Sequence, residues 1–279
     1  MTSAFKLGIA GLGTVGCGVI DMLQTHADML ESKLGQRVEL YSVSARTKDK
    51  ARPVDLSPYI WCDDPLSMAQ DDNINCVVEL VGGEEGLAKD LIETALKNKK
   101  HVITANKALL AHHGYALAQL AEENNVALMY EAAVAGGIPV IKSLREGFAG
   151  NQVQSLSGIL NGTCNYILSD MQKTGRDFSD VLKDAQEKGY AETPPDLDVD
   201  GVDAAHKLCL LTALSFGVKP DFRNLSIKGI RQVSAIDISF AEELGYKIKL
   251  LGTAKRIGEK FLQSIETCLV PESKPMAQV

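Results

Sequence analysis

Short apolar runs alternate with amphipathic stretches along the first half of the chain. The runs are rich in β-branched residues, as buried strands are, and the stretches between them repeat apolar residues at helical spacing. This alternation predicts a doubly wound α/β fold, in which helices cover both faces of a parallel sheet. The predicted strands are residues 5–10, 38–44, 76–81, 101–105 and 126–130.

The pattern changes near Gly136 and Gly137. Beyond them it predicts a helix, an alternating strand, a mainly helical stretch and two more alternating strands, with the helix and strands at residues 139–148, 153–160, 247–256 and 261–270. A chain of 279 residues is also longer than one hydrophobic core comfortably supports. We therefore predict a Rossmann-type NAD(P)-binding domain at residues 1–135 and an α+β domain for substrate binding, catalysis and dimerisation at residues 136–279.

Composition and charge narrow the classes of partner. The formal net charge of −7 argues against nucleic-acid binding, which depends on clustered Lys and Arg, so we expect a small-molecule substrate. No apolar run is long enough to cross a bilayer, and the N-terminus lacks the regions of a signal peptide, so we predict a cytoplasmic protein with no membrane partner. The six cysteines form no C-x-x-C pair, which argues against a disulfide framework or a zinc site.

A glycine-rich turn follows the first predicted strand directly. Residues 11–16 are Gly-Leu-Gly-Thr-Val-Gly, and a helical run follows at 17–29, which is the context that the dinucleotide-binding motif G-x-G-x-x-G requires. Gly11 permits the tight turn, Gly13 lets a pyrophosphate approach the backbone, and Gly16 lets helix and strand pack closely. The cofactor-binding residues predicted here are Gly11, Leu12, Gly13, Thr14, Val15 and Gly16.

The end of the second predicted strand favours NADP over NAD. An NAD-preferring site presents Asp or Glu there to the ribose 2′-hydroxyl, but residues 42–48 are Ser-Val-Ser-Ala-Arg-Thr-Lys. Arg46, with Lys48 as a second candidate, can hold a 2′-phosphate by charge-assisted hydrogen bonds. The alternative is that both are solvated loop charges, and NAD then stays open as the cofactor.

Two further segments carry a more specific signal. Residues 104–107, Thr-Ala-Asn-Lys, follow the fourth predicted strand and so lie at the carboxyl edge of the sheet, where open α/β folds bind ligands. Residues 189–207 are Gly-Tyr-Ala-Glu-Thr-Pro-Pro-Asp-Leu-Asp-Val-Asp-Gly-Val-Asp-Ala-Ala-His-Lys. With Glu-Ala-Ala-Val-Ala-Gly-Gly-Ile-Pro at 131–139 and Leu-Asn-Gly-Thr-Cys-Asn-Tyr at 160–166, these segments resemble the homoserine dehydrogenase family.

The resemblance implies an activity and a set of substrate residues. It implies a homodimeric enzyme that interconverts L-homoserine and L-aspartate 4-semialdehyde with NADP, in threonine, methionine and isoleucine biosynthesis. Glu192 and Asp198 match the family's carboxylates around the substrate amino group, and Asp203 matches an active-site aspartate. Lys107 and Lys207 match its two active-site lysines.

The resemblance also implies a monovalent-cation site, usually for sodium. Glu131 matches its carboxylate, and its other ligands are the backbone carbonyls of Val134, Gly136 and Ile138. The alternative is a loop in which Glu131 bonds only to backbone N–H groups. Family members continue beyond residues 271–273 with a glycine-rich return segment that completes the nucleotide domain, and we expect this segment to be missing here, with no kinase fused in front.

The spacing of Asp203 and Lys207 fits a catalytic pair. They lie four residues apart in an otherwise mostly apolar segment, 202–216, which places both on one face of a largely buried helix. Reduction of an aldehyde leaves an alkoxide, and we assign its protonation to Lys207, oriented by Asp203. Lys107, at the sheet edge, is expected to bridge cofactor and substrate. The alternative for Asp203 and Lys207 is a plain surface ion pair.

Two other classes of function are weighed against this one. Asp196, Asp198, Asp200 and Gly201 imitate the start of a calcium loop, but its twelfth position, which needs Glu, is Lys207. Cys164 would be the nucleophile of an acylating aldehyde dehydrogenase, and a helix N-terminus there is expected to lower its pKa, but no histidine has a recognisable spacing for its base. Both functions are disfavoured, and Trp61 is assigned no function.

Overall fold

The computed structural model describes residues 3–279, in two structural units. The first unit ends at Val140, and the second is Ile141–Val279. Within residues 3–279, no helix combines the length and the apolar composition needed to cross a membrane.

The first unit contains a parallel sheet of six strands in the order β3-β2-β1-β4-β5-β6. This order reverses beside β1, as in dinucleotide-binding folds, and confirms the predicted Rossmann-type architecture. Sequence patterning missed β3, which has only two residues and so shows no alternation. The strands are β1 Phe5–Ala10, β2 Val38–Ser44, β3 Ile60–Trp61, β4 Cys76–Glu79, β5 His101–Thr104 and β6 Leu128–Met129.

Helices connect these strands, and their apolar faces pack on the sheet. The clearest is α4, whose buried residues Leu91, Ile92, Ala95 and Leu96 recur at helical spacing. The helix predicted at 17–29 is interrupted at His26, whose backbone leaves the helical region and separates α1 from α2. The helices of this unit are α1 Thr14–Thr25, α2 Ala27–Leu34, α3 Leu66–Gln70, α4 Leu87–Lys97, α5 Lys107–Glu123 and α6 Glu131–Val134.

The second unit contains a mixed sheet of four strands in the order β7-β9-β10-β8. The long strands β9 and β10 pair antiparallel along their whole length and are joined by a tight turn at Gly258, whose φ is +61°. The short β8 is parallel to β10, and β7 is antiparallel to β9. The strands are β7 Ser155–Gly158, β8 Ser226–Ile227, β9 Tyr246–Ile257 and β10 Lys260–Pro271.

One helix of the second unit, α11 (Val202–Phe216), packs against β9 and β10. Its bounds match the predicted segment, because it is largely apolar and ends at Gly217, a left-handed cap with φ of +66°. The helix predicted at 139–148 is instead a short helix followed by a π-helical turn, Ser143–Gly147. The other helices are α7 Val140–Lys142, α8 Gly162–Thr174, α9 Phe178–Glu187, α10 Asp196–Val199, α12 Ala235–Glu243 and a 3-10 turn at Pro275–Ala277.

Candidate functional sites

The glycine fingerprint forms the turn between β1 and α1. Gly11 has φ of +102°, and a Cβ added there would lie 2.3 Å from the carbonyl oxygen of Leu80. A Cβ on Gly16 would lie 2.0 Å from the carbonyl oxygen of Gly11. A Cβ on Gly13, by contrast, would meet no described atom within 4 Å. The fold itself therefore requires Gly11 and Gly16, while Gly13 leaves open the space at the helix N-terminus that a pyrophosphate needs.

A pocket of about 730 Å³ opens beside this turn, at the carboxyl ends of β1, β2 and β4. Four cationic side chains line it, and they face one carboxylate, Asp63. The cations are Arg46, Lys48, Lys50 and Arg52. This balance of charge suits a polyanionic ligand, and with the open space at Gly13 it shows that the residues present fit a phosphorylated dinucleotide.

Arg52 shapes the pocket through its bonds to the backbone. Its guanidinium donates to the carbonyl oxygens of Leu12 (3.3 Å), Thr47 (2.7 Å), Lys48 (3.1 Å) and Lys50 (2.9 Å). Four of its five N–H donors are thus used in tying the loop after β2 to the glycine turn. Arg52 therefore stabilises the loop that forms one wall of the pocket. The cations better placed to bind a ligand are Arg46, Lys48 and Lys50.

Trp61 lines the same pocket, although its sequence context indicated no function. The Arg52 guanidinium lies 5.6 Å and the Lys48 ammonium 5.9 Å from the centre of its ring, both within cation–π range. Its indole N–H donates to Asp63 at 2.9 Å. The indole thus keeps Lys48 and Asp63 beside the pocket.

Lys107 begins α5 at the carboxyl edge of the sheet, as the sequence predicts. A fully buried carboxylate, Glu79, organises this edge by accepting hydrogen bonds from the backbone N–H groups of Val81 (2.7 Å) and Gly82 (2.9 Å) and from the Thr104 hydroxyl (2.6 Å). Asn106 caps α5 and donates to the Gly83 carbonyl at 2.6 Å. These bonds hold the loop after β4 against the start of the helix that carries Lys107.

The residues predicted to bind a monovalent cation lie in and after α6. Glu131 opens this short helix, Val134 ends it, and Gly136 and Ile138 follow in an exposed turn. The Ile138 carbonyl accepts a hydrogen bond from the Val140 N–H at 2.8 Å. Residues 3–279 contain no group of three or more His, Cys, Asp or Glu that could hold a metal ion. The predicted site, with one carboxylate and three carbonyls, is of a different type and stays a prediction.

In the second unit, Asp203 and Lys207 form an ion pair on α11. The Lys207 ammonium donates to Asp203 Oδ2 at 2.6 Å and to the Leu160 carbonyl at 2.9 Å. Only 14% of the Asp203 side chain and 21% of the Lys207 side chain are exposed, so this is not a solvated surface pair. Asn161 connects the pair to the acidic loop, which is residues 192–200, because its amide donates to Asp203 (3.0 Å) and to Asp198 (2.8 Å).

The remaining carboxylates of the acidic loop face a different partner. Arg231 bonds to Asp196 through Nη2 and to Asp200 through Nε, and the bond to Asp200 is the main cause of the raised pKa of Arg231. The aspartates that imitate a calcium loop therefore divide between this guanidinium and the Asn161 amide. Glu192, the other predicted substrate carboxylate, is exposed, and its side chain makes no hydrogen bond or ion pair to the described part of the chain.

Cys164 lies next to this cluster, but its thiol is not reactive near neutral pH. Its side chain is fully buried, and the sulfur lies 3.1 Å from the Asp198 carbonyl oxygen. Burial, followed by the charges of Asp198, Asp203 and Asp200, raises the pKa of the Cys164 thiol to about 12. The expectation that the N-terminus of α8 lowers this pKa is wrong, because loss of solvation and nearby negative charge outweigh the helix dipole. A thiolate nucleophile is therefore not available near neutral pH.

Sequence reasoning missed Glu79, Arg52, Asn161 and Arg231. Two of them carry a signal that could have been used. Glu79 is a single acid inside an apolar run, 76–81, and such a residue is buried with partners or functional. Asn161 is a favoured N-cap residue before a helical segment. Arg52 and Arg231 lie in loops with no local pattern.

Two family models match different parts of this chain. The family model of the homoserine dehydrogenase NAD-binding domain matches residues 11–131, and that of homoserine dehydrogenase itself matches residues 139–279, half of the chain. This chain belongs to the homoserine dehydrogenase family. The match confirms the family expected from residues 104–107, 131–139, 160–166 and 189–207.

Members of the homoserine dehydrogenase family are similar to this chain over nearly its whole length. The enzyme of Neisseria gonorrhoeae is 43% identical over 274 residues, which are 98% of this chain but 62% of that protein. The crystal structure of a homoserine dehydrogenase from Thiobacillus denitrificans is 42% identical with a TM-score of 0.96, and the match covers 99% of this chain and 64% of that one. This chain thus spans less than two thirds of these relatives.

A more distant family member shares the fold. It is a hyperthermophilic archaeal homoserine dehydrogenase in complex with NADPH, with 24% identity and a TM-score of 0.82, and the match covers 98% of this chain and 84% of that one. At this identity the likeness concerns the fold alone.

Proposed function

We propose that this chain is the catalytic part of a homoserine dehydrogenase, which interconverts L-homoserine and L-aspartate 4-semialdehyde for threonine, methionine and isoleucine biosynthesis. The observation that carries the proposal is the part-buried cluster of Lys207, Asp203, Asn161 and Asp198. It combines a positioned ammonium with carboxylates, and homoserine is a zwitterion whose hydroxyl must lose a proton. A bound nicotinamide cofactor supplies the hydride in reduction and accepts it in oxidation.

Lys207 is the proton donor in this proposal. An ammonium has three N–H donors, and Asp203 and the Leu160 carbonyl accept two of them, which leaves one for the substrate oxygen. As reduction turns the carbonyl oxygen into an alkoxide, the ammonium stabilises the developing charge and transfers a proton to that oxygen. In oxidation the neutral amine takes the hydroxyl proton. Asp203 keeps the ammonium oriented throughout.

Asp198 is the proposed partner of the substrate ammonium. One of its oxygens accepts from Asn161, and its second oxygen accepts no hydrogen bond from residues 3–279. Glu192 is assigned to the same ammonium, on family resemblance alone. Lys107 is assigned to cofactor and substrate on the same ground and on its position at the edge of the parallel sheet.

NADP is the proposed cofactor. The excess of cations in the pocket beside Gly13 supports it, with Arg46 as the main candidate for the 2′-phosphate. Asp63 is the only carboxylate among the described lining residues, and its bond to Trp61 occupies one of its oxygens. The archaeal NADPH complex adds only that the shared fold accommodates this cofactor.

The family resemblance supports three further proposals. The predicted domains, residues 1–135 and 136–279, are assigned to cofactor binding and to substrate binding with dimerisation.

Glu131 and the carbonyls of Val134, Gly136 and Ile138 are assigned to sodium. Thermal melts test this assignment, because sodium chloride but not choline chloride should raise the melting temperature. A cytoplasmic homodimer is expected, and a light-scattering mass near that of one chain at micromolar concentration would contradict the dimer.

Homoserine-dependent reduction of NADP by the purified chain tests the proposed activity directly. The reaction is followed by absorbance of the reduced nicotinamide, with L-threonine, which has a secondary hydroxyl, as the control substrate. Turnover with homoserine but not with threonine is expected. No turnover with either, in a chain that is folded by circular dichroism, would overturn the activity for this chain.

A further inference from the structure

One amide joins both carboxylates of the second-unit cluster. We propose that Asn161 is a positioning residue, which holds Asp198 and Asp203 in their observed orientations by donating one hydrogen bond to each. The proposal rests on the proposed function for the meaning of the two carboxylates. It assigns a role to a residue that neither charge pattern nor spacing pointed to.

The hydrogen-bond partners determine which way round the Asn161 amide lies. Its Oδ1 accepts from the backbone N–H of Cys164 at 2.8 Å, as the N-cap of α8. A backbone N–H can only donate, so the atom that faces it must be the oxygen. Nδ2 must then face the carboxylates, and its two hydrogens match the two acceptors, Asp198 Oδ1 at 2.8 Å and Asp203 Oδ2 at 3.0 Å.

The cluster is crowded with like charge, which gives the amide its importance. Asn161 is only 4% exposed, so water does not replace its donors easily. Lys207 compensates Asp203, but it makes no bond to Asp198. Two carboxylates in a poorly solvated region repel each other, so each needs hydrogen-bond donors. The second unit contributes several charged or titratable groups around the bridge. They include Asp203 and Lys207 of α11, Asp198 of α10, Asp200 with its partner Arg231, and Cys164 of α8.

Capping of α8 and bridging of the carboxylates use different atoms of Asn161, so substitutions can separate them. Asn161→Asp keeps the shape and the capping oxygen but removes both donors and adds a negative charge. Asn161→Ser keeps a good capping group without added charge, and its single O–H cannot serve two carboxylates. Ser234→Ala is the matched control, because Ser234 caps α12 of the same unit and makes its side-chain bonds to Asp237 alone.

The experiment measures thermal stability, kcat, KM for homoserine and the pH profile of kcat/KM for the three variants. Ser234→Ala is expected to melt earlier with unchanged kinetics. Asn161→Ser is expected to melt near the wild type but to lose about 10- to 100-fold in kcat/KM, as for a lost hydrogen bond to a charged group. Its KM for homoserine is expected to rise more than its kcat falls, because Asp198, the proposed partner of the substrate ammonium, loses its hydrogen bond from Asn161.

Asn161→Asp is expected to lose more activity at neutral pH and to recover relative to Asn161→Ser as the pH falls, since protonation of the new carboxyl returns one donor. Carbon-13 NMR chemical shifts of the aspartate carboxyl carbons at neutral pH, assigned with Asp198→Asn and Asp203→Asn, give a readout that needs no activity. Altered shifts of these two carbons in Asn161→Ser, with no such change in Ser234→Ala, support the proposal, even in a chain without turnover. Unchanged shifts, or an activity loss that follows thermal stability as in Ser234→Ala, would overturn it.

Discussion

The nucleotide pocket and the carboxylate cluster are built in different ways. Backbone contacts set the frame of the pocket, because Gly11 and Gly16 let main chains approach closely and Arg52 donates to carbonyl groups. Side chains make the cluster, in which Asn161 and Lys207 place two carboxylates. The glycine turn therefore depends on the size of the side chain at each glycine, whereas the cluster depends on the donor and acceptor types of each member. The substitutions below test this difference.

The largest effect is expected from Lys207→Ala. Loss of a positioned acid typically costs roughly 10²–10⁴ in rate, so kcat should fall by that factor while NADP affinity stays near the wild-type value. Steady-state kinetics and cofactor titration measure the two quantities. Lys260→Ala, at an exposed position of β10, is the control for loss of a lysine in the same unit. If Lys207→Ala kept a near-normal kcat and Lys107→Ala had no turnover, Lys107 would be the proton donor instead of Lys207.

Arg46→Ala and Arg52→Ala are expected to have different effects on cofactor use and on stability. Arg46 is exposed in the pocket, so its loss should lower kcat/KM for NADPH by about 10- to 100-fold and leave that for NADH nearly unchanged. Arg52 is bonded to four carbonyls, so its loss should weaken both cofactors and also lower the melting temperature. A strong preference of the wild type for NADH would contradict the NADP proposal. Equal effects of Arg46→Ala on both cofactors would show that Arg46 does not bind the 2′-phosphate.

Gly13→Ala and Gly16→Ala should separate ligand binding from folding. An added methyl at Gly13 meets open space, so stability should hold while the Kd for the cofactor rises about tenfold, the equivalent of one hydrogen bond. At Gly16 the methyl overlaps the Gly11 carbonyl, and overpacking should lower the free energy of unfolding by about 1–3 kcal/mol. Isothermal titration and thermal melts distinguish them. Equal destabilisation by both would show that Gly13 is also a packing position.

The smallest effect is expected from alkylating reagents at Cys164. Because its pKa is raised to about 12, the group is a thiol at every ordinary pH and becomes reactive only as the pH approaches that value. Iodoacetamide at pH 7.5 should leave Cys164 unmodified in peptide mass spectra, while partly exposed Cys62 serves as the internal control. Rapid labelling of Cys164 with loss of turnover would support Cys164 as a catalytic nucleophile, which its burial argues against.

Elements with a strong local pattern were predicted best. Strands β1 and β2 and helix α11 have the predicted bounds, because each has an uninterrupted apolar pattern and a clear ending. The prediction failed at β3, at the break near His26 and at the π-helical turn, where single residues or sheet pairing decide the conformation. The sequence pattern also does not predict that β9 and β10 pair with each other.

The sequence by itself determined the family, the Rossmann-type architecture and the glycine turn, since each depends on neighbouring residues whose type and spacing set the local structure. It also placed Asp203 and Lys207 on one helical face, because four residues are about one turn. Only the tertiary structure decided that Asn161 meets Asp198 and Asp203, 37 and 42 residues further along the chain. Such contacts depend on how α8, α10 and α11 pack, and no local periodicity encodes that packing.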